Sequence, residues 1–143
     1  MLSSISFLGG IAGDQRAILY HYFETAEYKK GEFVARRGEE PSHIFIIKRG
    51  EVDLIIEDND LKVTKRRFRP GDCFGEAALL SLINNTASFI AAEDSELIGF
   101  SRKAFNLLRR EDPAVFAQLI LNLARELARK LQYSDEILLH RDR

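Results

Sequence analysis

Glu76 is the side chain whose neighbours most suggest chemistry. It stands in FGEAALLSLINNTASF, residues 74–89, directly after Phe74 and Gly75 and before Ala77 and Ala78. Gly75 opens a short predicted helix through Ala77, Ala78, Leu79 and Leu80, set between strand-like segments. The first turn of a helix leaves N–H groups unpaired and carries partial positive charge, so it can cradle an anion such as a phosphate. Small residues at 75, 77 and 78 let a ligand approach that backbone closely. A carboxylate would repel an adjacent phosphate, yet it accepts hydrogen bonds well from both hydroxyls of a vicinal diol such as a ribose. The plainer role for Glu76 is to complement the helix dipole, worth about 0.3–1 kcal/mol.

The other residues able to do chemistry are scattered. His21, His43 and His140 are the only histidines and form no His-x-His or His-Glu-x-x-His pair, so no catalytic metal centre is expected. A metal-dependent jelly-roll enzyme would need such a cluster. No Ser-His-Asp elbow is found, and the glycines lack the Lys-Ser/Thr of a phosphate-binding P-loop. Catalysis is therefore not expected. Cys73 is the single cysteine; beside Phe74 it reads as a small core residue, with no intrachain disulfide available to it. Asp58-Asn59-Asp60 reads as a hairpin tip and lacks the longer oxygen series of a calcium loop.

The elements around Glu76 follow from turn signals. With 143 residues, 45% of them hydrophobic and 30% charged, the chain fits one globular domain over 1–143. A helical arm is expected over 1–30, where Asp14 can cap a helix bearing Ile18, Leu19, Tyr22 and Phe23. A strand-rich body follows over 31–100, and two helices over 101–143, capped by Ser101 and opened by Asp112-Pro113. Gly31, Gly38, Gly50, Gly71 and Gly75 are each followed by an acid and separate short strand candidates, the signature of an all-β barrel or sandwich. Residues 44–47 (IFII) are continuously apolar and should be buried on both faces; residues 61–64 (LKVT) alternate and should be half exposed. The start, MLSSISFLGGIAG, has no basic residue ahead of its apolar stretch and is too short to span a bilayer. It reads as an ordered arm, with no membrane contact and a cytoplasmic location expected.

Segment 74–89, together with the ordered glycines and EEPSHIFIIKRGEVDL, resembles the cyclic-nucleotide-binding domain family, in its catabolite-activator-type regulatory form. The family pattern is roughly Phe-Gly-Glu-(Leu/Ile)-Ala-Leu, four variable residues, then Pro-Arg-x-Ala-(Ser/Thr). The resemblance implies a mainly β fold: an eight-stranded jelly-roll barrel with an N-terminal helix and a long C-terminal helix. It also implies that Glu76 accepts the ribose 2′-hydroxyl while Phe74, Gly75, Ala77 and Ala78 shape the phosphate cradle. Thr86 follows the Arg position, where a hydroxyl can reach phosphate or the amino group of guanine, and Ser88 fills the later hydroxyl slot. The implied ligand is cAMP or cGMP, and no cofactor is required.

One departure bears on that expectation. The Pro-Arg pair is replaced by Asn84-Asn85. Asn has no charge and fewer donors than the planar guanidinium. Hydrogen bonds to charged groups are worth about 1.5–3 kcal/mol, and stranding a buried charge costs about 3–5. Binding would weaken by on the order of tenfold to a few thousandfold. Three arrangements are compatible with these residues. Another cation substitutes from a neighbouring strand, with Lys65, Arg66, Arg67 and Arg69 the densest basic run; or the pocket takes a different small ligand; or the barrel is a ligand-free docking scaffold. The basic run itself reads first as a solvated strand face.

From Pro113 onward Phe116, Leu119, Ile120, Leu123, Leu127 and Leu131 form an apolar stripe, continued by Ile137, Leu138 and Leu139, with Arg125, Glu126, Arg129 and Lys130 on the other faces. Helical throughout, the segment would reach about 40 Å, more than one small barrel covers. In catabolite-activator-type relatives the corresponding helix pairs two subunits, so a homodimer through it is expected, the alternative being a helix folded on its own barrel. The sequence given stops at Arg143 without a helix-turn-helix, and its net charge is -1; no DNA partner is expected. The expected role is a regulatory, signal-sensing module acting on an unidentified effector protein.

Overall fold

The computed structural model describes residues 8–141, with side chains for 8–57 and 59–132. Residues 1–7 of the expected arm, and the side chains of Ile137, Leu138, Leu139 and His140, lie outside the described residues.

Helix α1 (Gly13–Tyr20) leads into strands β1 (Glu24–Tyr28), β2 (Phe33–Ala35), β3 (His43–Arg49), β4 (Val52–Asp58), β5 (Leu61–Phe68) and β6 (Cys73–Phe74). Helix α2 (Glu76–Ser81) precedes β7 (Ser88–Ala91) and β8 (Ser95–Ser101), and α3 (Arg102–Glu111) and α4 (Pro113–Arg141) close the order. The eight strands form two antiparallel sheets, β1-β8-β3-β6 and β2-β7-β4-β5. The expected β-rich fold is present, but as two facing sheets, not as a barrel closed by one continuous ladder. With β6 two residues long and β2 three, these strands are too short to knit the sheets together.

The first strand corrects the expected boundary between arm and body. Glu24–Tyr28 is ETAEY, a polar stretch with no apolar alternation, yet it pairs with β8 from Glu24↔Gly99 to Tyr28↔Ser95. As a sheet edge it needs no buried pair of faces. Asp14 is also not the cap of α1. The cap is Ala12, whose N–H is taken by the Gln15 side chain at 3.3 Å, and Asp14 sits inside the first turn.

The apolar run of β3 divides the core as its alternation requires. Ile44 and Ile46 face Leu19, Phe100, Leu108, Leu119 and Leu123 on the helical side. Phe45 and Ile47 face Val52, Phe68, Phe74 and Leu97 between the sheets. Residues 61–67 of β5 are exposed throughout, including Leu61 and Val63, because β5 is an edge paired only with β4. The hairpin tip falls at Asn59 and Asp60, both at positive φ. Ser101 caps α3 as expected, its Oγ accepting the Ala104 N–H at 3.0 Å, and α4 begins at Pro113 with Phe116 N–H donating to the Asp112 backbone carbonyl at 3.0 Å. Tyr22 Oη donates to Glu111 (2.7 Å) and Asp112 (3.0 Å), tying α1 to that junction.

Candidate ligand site

Gly75 fixes the site's origin. Its φ is 88°, and a Cβ there would lie 2.7 Å from the carbonyl oxygen of His43 on β3. Only glycine adopts this conformation at such a distance without displacing backbone, so α2 starts hard against β3. The Leu79 amide donates to Gly75 O at 3.2 Å. Glu76, Ala77 and Ala78 therefore form the turn whose N–H groups have no intrahelical acceptor.

That start carries the Glu76 side chain inward, to 2% exposure. Buried carboxylates need partners, and Glu76 has them. Lys130 Nζ, from α4, ion-pairs with Oε1, and Cys73 Sγ–H donates to Oε2 at 3.7 Å. Lys130 Nζ also donates to the Cys73 carbonyl at 3.2 Å. Burial pushes the Cys73 thiol well above its ordinary pKa, and the neighbouring Glu76 charge pushes it further, against a smaller opposing pull from Lys130. Cys73 stays a protonated donor in the core.

A cavity of about 270 Å³ opens beside this carboxylate. Phe74, Gly75, Glu76, Ala77 and Ala78 form one side, Asn85 and Thr86 another, and Leu54, Phe68 and Phe89 an apolar floor. The floor is an aromatic stack: Phe74 lies 4.8 Å from Phe89 and 5.3 Å from Phe68 between ring centroids. Seven of the expected site residues thus come together around one hollow.

Ser88 does not join them. Its Oγ accepts the Arg37 N–H at 3.0 Å, and it lines a separate hollow with Phe33, Arg36 and Ile55. Strand alternation turns Ser88 away from the cavity while Ala87 and Phe89 face it. Asn85 is at the wall, but its Nδ2 donates to Arg36 O at 3.1 Å, and Asn84 Nδ2 donates to Gly38 O at 3.1 Å. Both side-chain amides hold the end of the segment against the turn at 36–39, reinforced by Asn85 N–H to Glu39 O and Gly38 N–H to Asn85 O.

Of the basic run, Arg66 alone lines the cavity, its guanidinium 4.9 Å from the Phe68 centroid. Arg67 points elsewhere and is bound to Asp53 at 2.7 and 3.0 Å, and Arg69 reaches Glu51. Lys130 and Leu127 of α4 complete the wall. Placing Lys130 on an outer helix face is corrected here. It follows Leu127 by three positions, which puts it on the same side of the helix as the apolar stripe; that spacing was the available signal. Among the described residues no group of three His, Cys, Asp or Glu could hold a metal.

Residues 25–112 match the family model described as "Cyclic nucleotide-binding domain". Over 108 residues the chain is 32% identical to human cGMP-dependent protein kinase 2, covering 73% of this chain and 14% of that protein. The crystal structure of Thermus thermophilus catabolite activator protein superposes with a TM-score of 0.82 at 28% identity, covering 93% of this chain and 61% of that one. A regulatory subunit of a cAMP-independent protein kinase A from Trypanosoma cruzi, bound to guanosine, superposes with a TM-score of 0.76 at 25% identity, covering 97% of this chain and 48% of the other. The chain therefore spans only part of the length of each of these relatives.

Proposed function

The chain belongs to the cyclic nucleotide-binding domain family, and from that premise we propose that it is a non-enzymatic sensing module whose cavity binds cAMP or cGMP weakly. The observation that carries this is the buried carboxylate of Glu76 on the cavity wall, beside the open N–H turn of α2 and over an aromatic floor. The carboxylate suits a ribose hydroxyl, the turn suits the cyclic phosphate, and the stacked phenyl rings suit a base or sugar face. Arg66, the member of the basic run that lines the cavity, supplies a cation for the phosphate. Weakness follows from Asn85, which brings no charge and gives its side-chain amide to Arg36 O.

The same observation favours a second ligand class. An uncharged nucleoside keeps the diol for Glu76 and needs no cation at position 85, and guanosine is what the Trypanosoma cruzi relative is bound to. The remaining reading, a ligand-free scaffold, draws on Leu121 and Leu131, which α4 leaves exposed and which would suit a second copy of the chain. In either form the module acts in the cytoplasm on a separate effector protein, and its near-neutral net charge of -1 favours a protein partner over nucleic acid. Among the described residues no helix is long and apolar enough to cross a membrane.

Calorimetric titration with cAMP, cGMP and guanosine separates these readings. Cyclic nucleotide should bind in the high-micromolar to millimolar range, and Asn85→Arg should tighten it by about tenfold or more. Guanosine binding that Asn85→Arg leaves unchanged would favour the nucleoside. Absence of heat from all three ligands at millimolar concentration, in both proteins, would leave the scaffold.

A further inference from the structure

Helix α4 is held to the rest of the molecule in two different ways. Its first half is anchored by Val115, Leu119 and Leu123, all buried in the helical core against residues of α1, β3 and α3. None of the three lines the cavity, and Asn122 adds a polar tie in the same stretch, its Nδ2 donating to Gly9 O at 2.6 Å. Further along, Leu127 and Lys130 line the cavity itself. Lys130 is the polar attachment there, bound at once to the Glu76 carboxylate and to the Cys73 carbonyl. Both oxygens of Glu76 are engaged, one by Lys130 and one by Cys73.

A ligand diol seeking Glu76 meets a carboxylate that already holds a cation. The lysine stem also lines the cavity and takes up room beside the carboxylate. Glu126, one turn before Lys130, ion-pairs with Arg129 at 3.5 Å and lines the adjoining surface hollow with Lys65, Arg66 and Lys130.

We infer that Lys130 is an intramolecular occupant of the ligand's carboxylate, so that docking of the distal part of α4 and ligand binding at Glu76 exclude one another. The inference rests on the reading of Glu76 as the sugar acceptor. Binding affinity is then reduced by the fraction of molecules in which Lys130 is in place.

Lys130→Gln tests the two parts separately. Without ligand, amide hydrogen exchange followed by mass spectrometry should accelerate in residues 124–132 and stay unchanged in 115–123; unaltered exchange throughout overturns the docking role. In calorimetry, cAMP or cGMP should bind Lys130→Gln about tenfold more tightly than the parent chain. Equal or weaker binding overturns the competition, and weaker binding makes Lys130 a ligand-binding cation. Faster exchange with no heat from either protein supports the docking contact while sinking the ligand reading. Should Lys130→Gln fail to fold, Glu76→Gln combined with Lys130→Gln strands no charge, and the same acceleration of exchange is expected of it.

Discussion

The two ends of segment 74–89 put their polar residues to opposite purposes. At the N-terminal end, Gly75 forces α2 against β3 and turns Glu76 into the cavity, so the polar groups face a ligand-sized space. At the C-terminal end, Asn84, Asn85 and Ser88 give their polar side chains to the backbone of residues 36–38. One end is built as a receptor, the other as a staple. The contrast shows that polar side chains a few positions apart in one segment can be turned to a cavity or to the backbone, because they answer to different neighbours.

The largest blow to this contrast falls at its receptor end. Gly75→Ala places a methyl 2.7 Å from a backbone oxygen at positive φ, and should destabilise the fold by about 2–4 kcal/mol in urea unfolding. A loss under 1 kcal/mol would mean that α2 shifts easily and that the receptor end is not fixed by this contact. A middle-sized comparison sets Glu76→Ala against Asn85→Ala. Glu76→Ala leaves Lys130 without its carboxylate and should cost about 2 kcal/mol, whereas Asn85→Ala loses one partly exposed hydrogen bond and should cost about 1 kcal/mol or less. Only Glu76→Ala should also abolish any ligand-induced rise in melting temperature. Equal effects from the two would erase the distinction between the ends.

The smallest effect concerns pH. Cys73 is held above its ordinary pKa in the folded chain, so the folded state keeps its thiol proton where the unfolded chain, near pH 8.5, releases it. Stability from this group is fully present below that range and declines as pH rises through it. Iodoacetamide should therefore label Cys73 slowly at pH 9 in the native protein and rapidly in urea. Fast native labelling would place the thiol, and with it the Glu76 partner set, outside the core.

Much of the frame could be read from the chain because the signals were local. The 44–47 run, the Asn59-Asp60 tip, the Ser101 cap and the Asp112-Pro113 helix start each depend on residues within a few positions. The features that escaped are those decided across the fold. β1 is recognisable only through its partner β8, since ETAEY carries no apolar period. Arg66 and Arg67 are adjacent and alike, and only the placement of β5 sends one to the cavity and the other to Asp53. Lys130 lies 54 residues from Glu76, and no local pattern joins them. Motif position draws Ser88 into the expected site, while strand alternation turns it away from the cavity and onto the Arg37 N–H.

The absence of a shared ladder between the two sheets has a mechanical consequence. Hydrogen-bonded strands keep a fixed spacing of about 4.8 Å, but facing sheets held by side chains can slide and part. The hollow is walled by Phe74 from one sheet and by Leu54, Phe68 and Phe89 from the other, so its size depends on how closely these jaws sit. Spacing between the two sheets is therefore set by contacts among these side chains and not by backbone hydrogen bonds. A molecule wedged in the gap would adjust that spacing, so that occupancy is felt by both sheets at once.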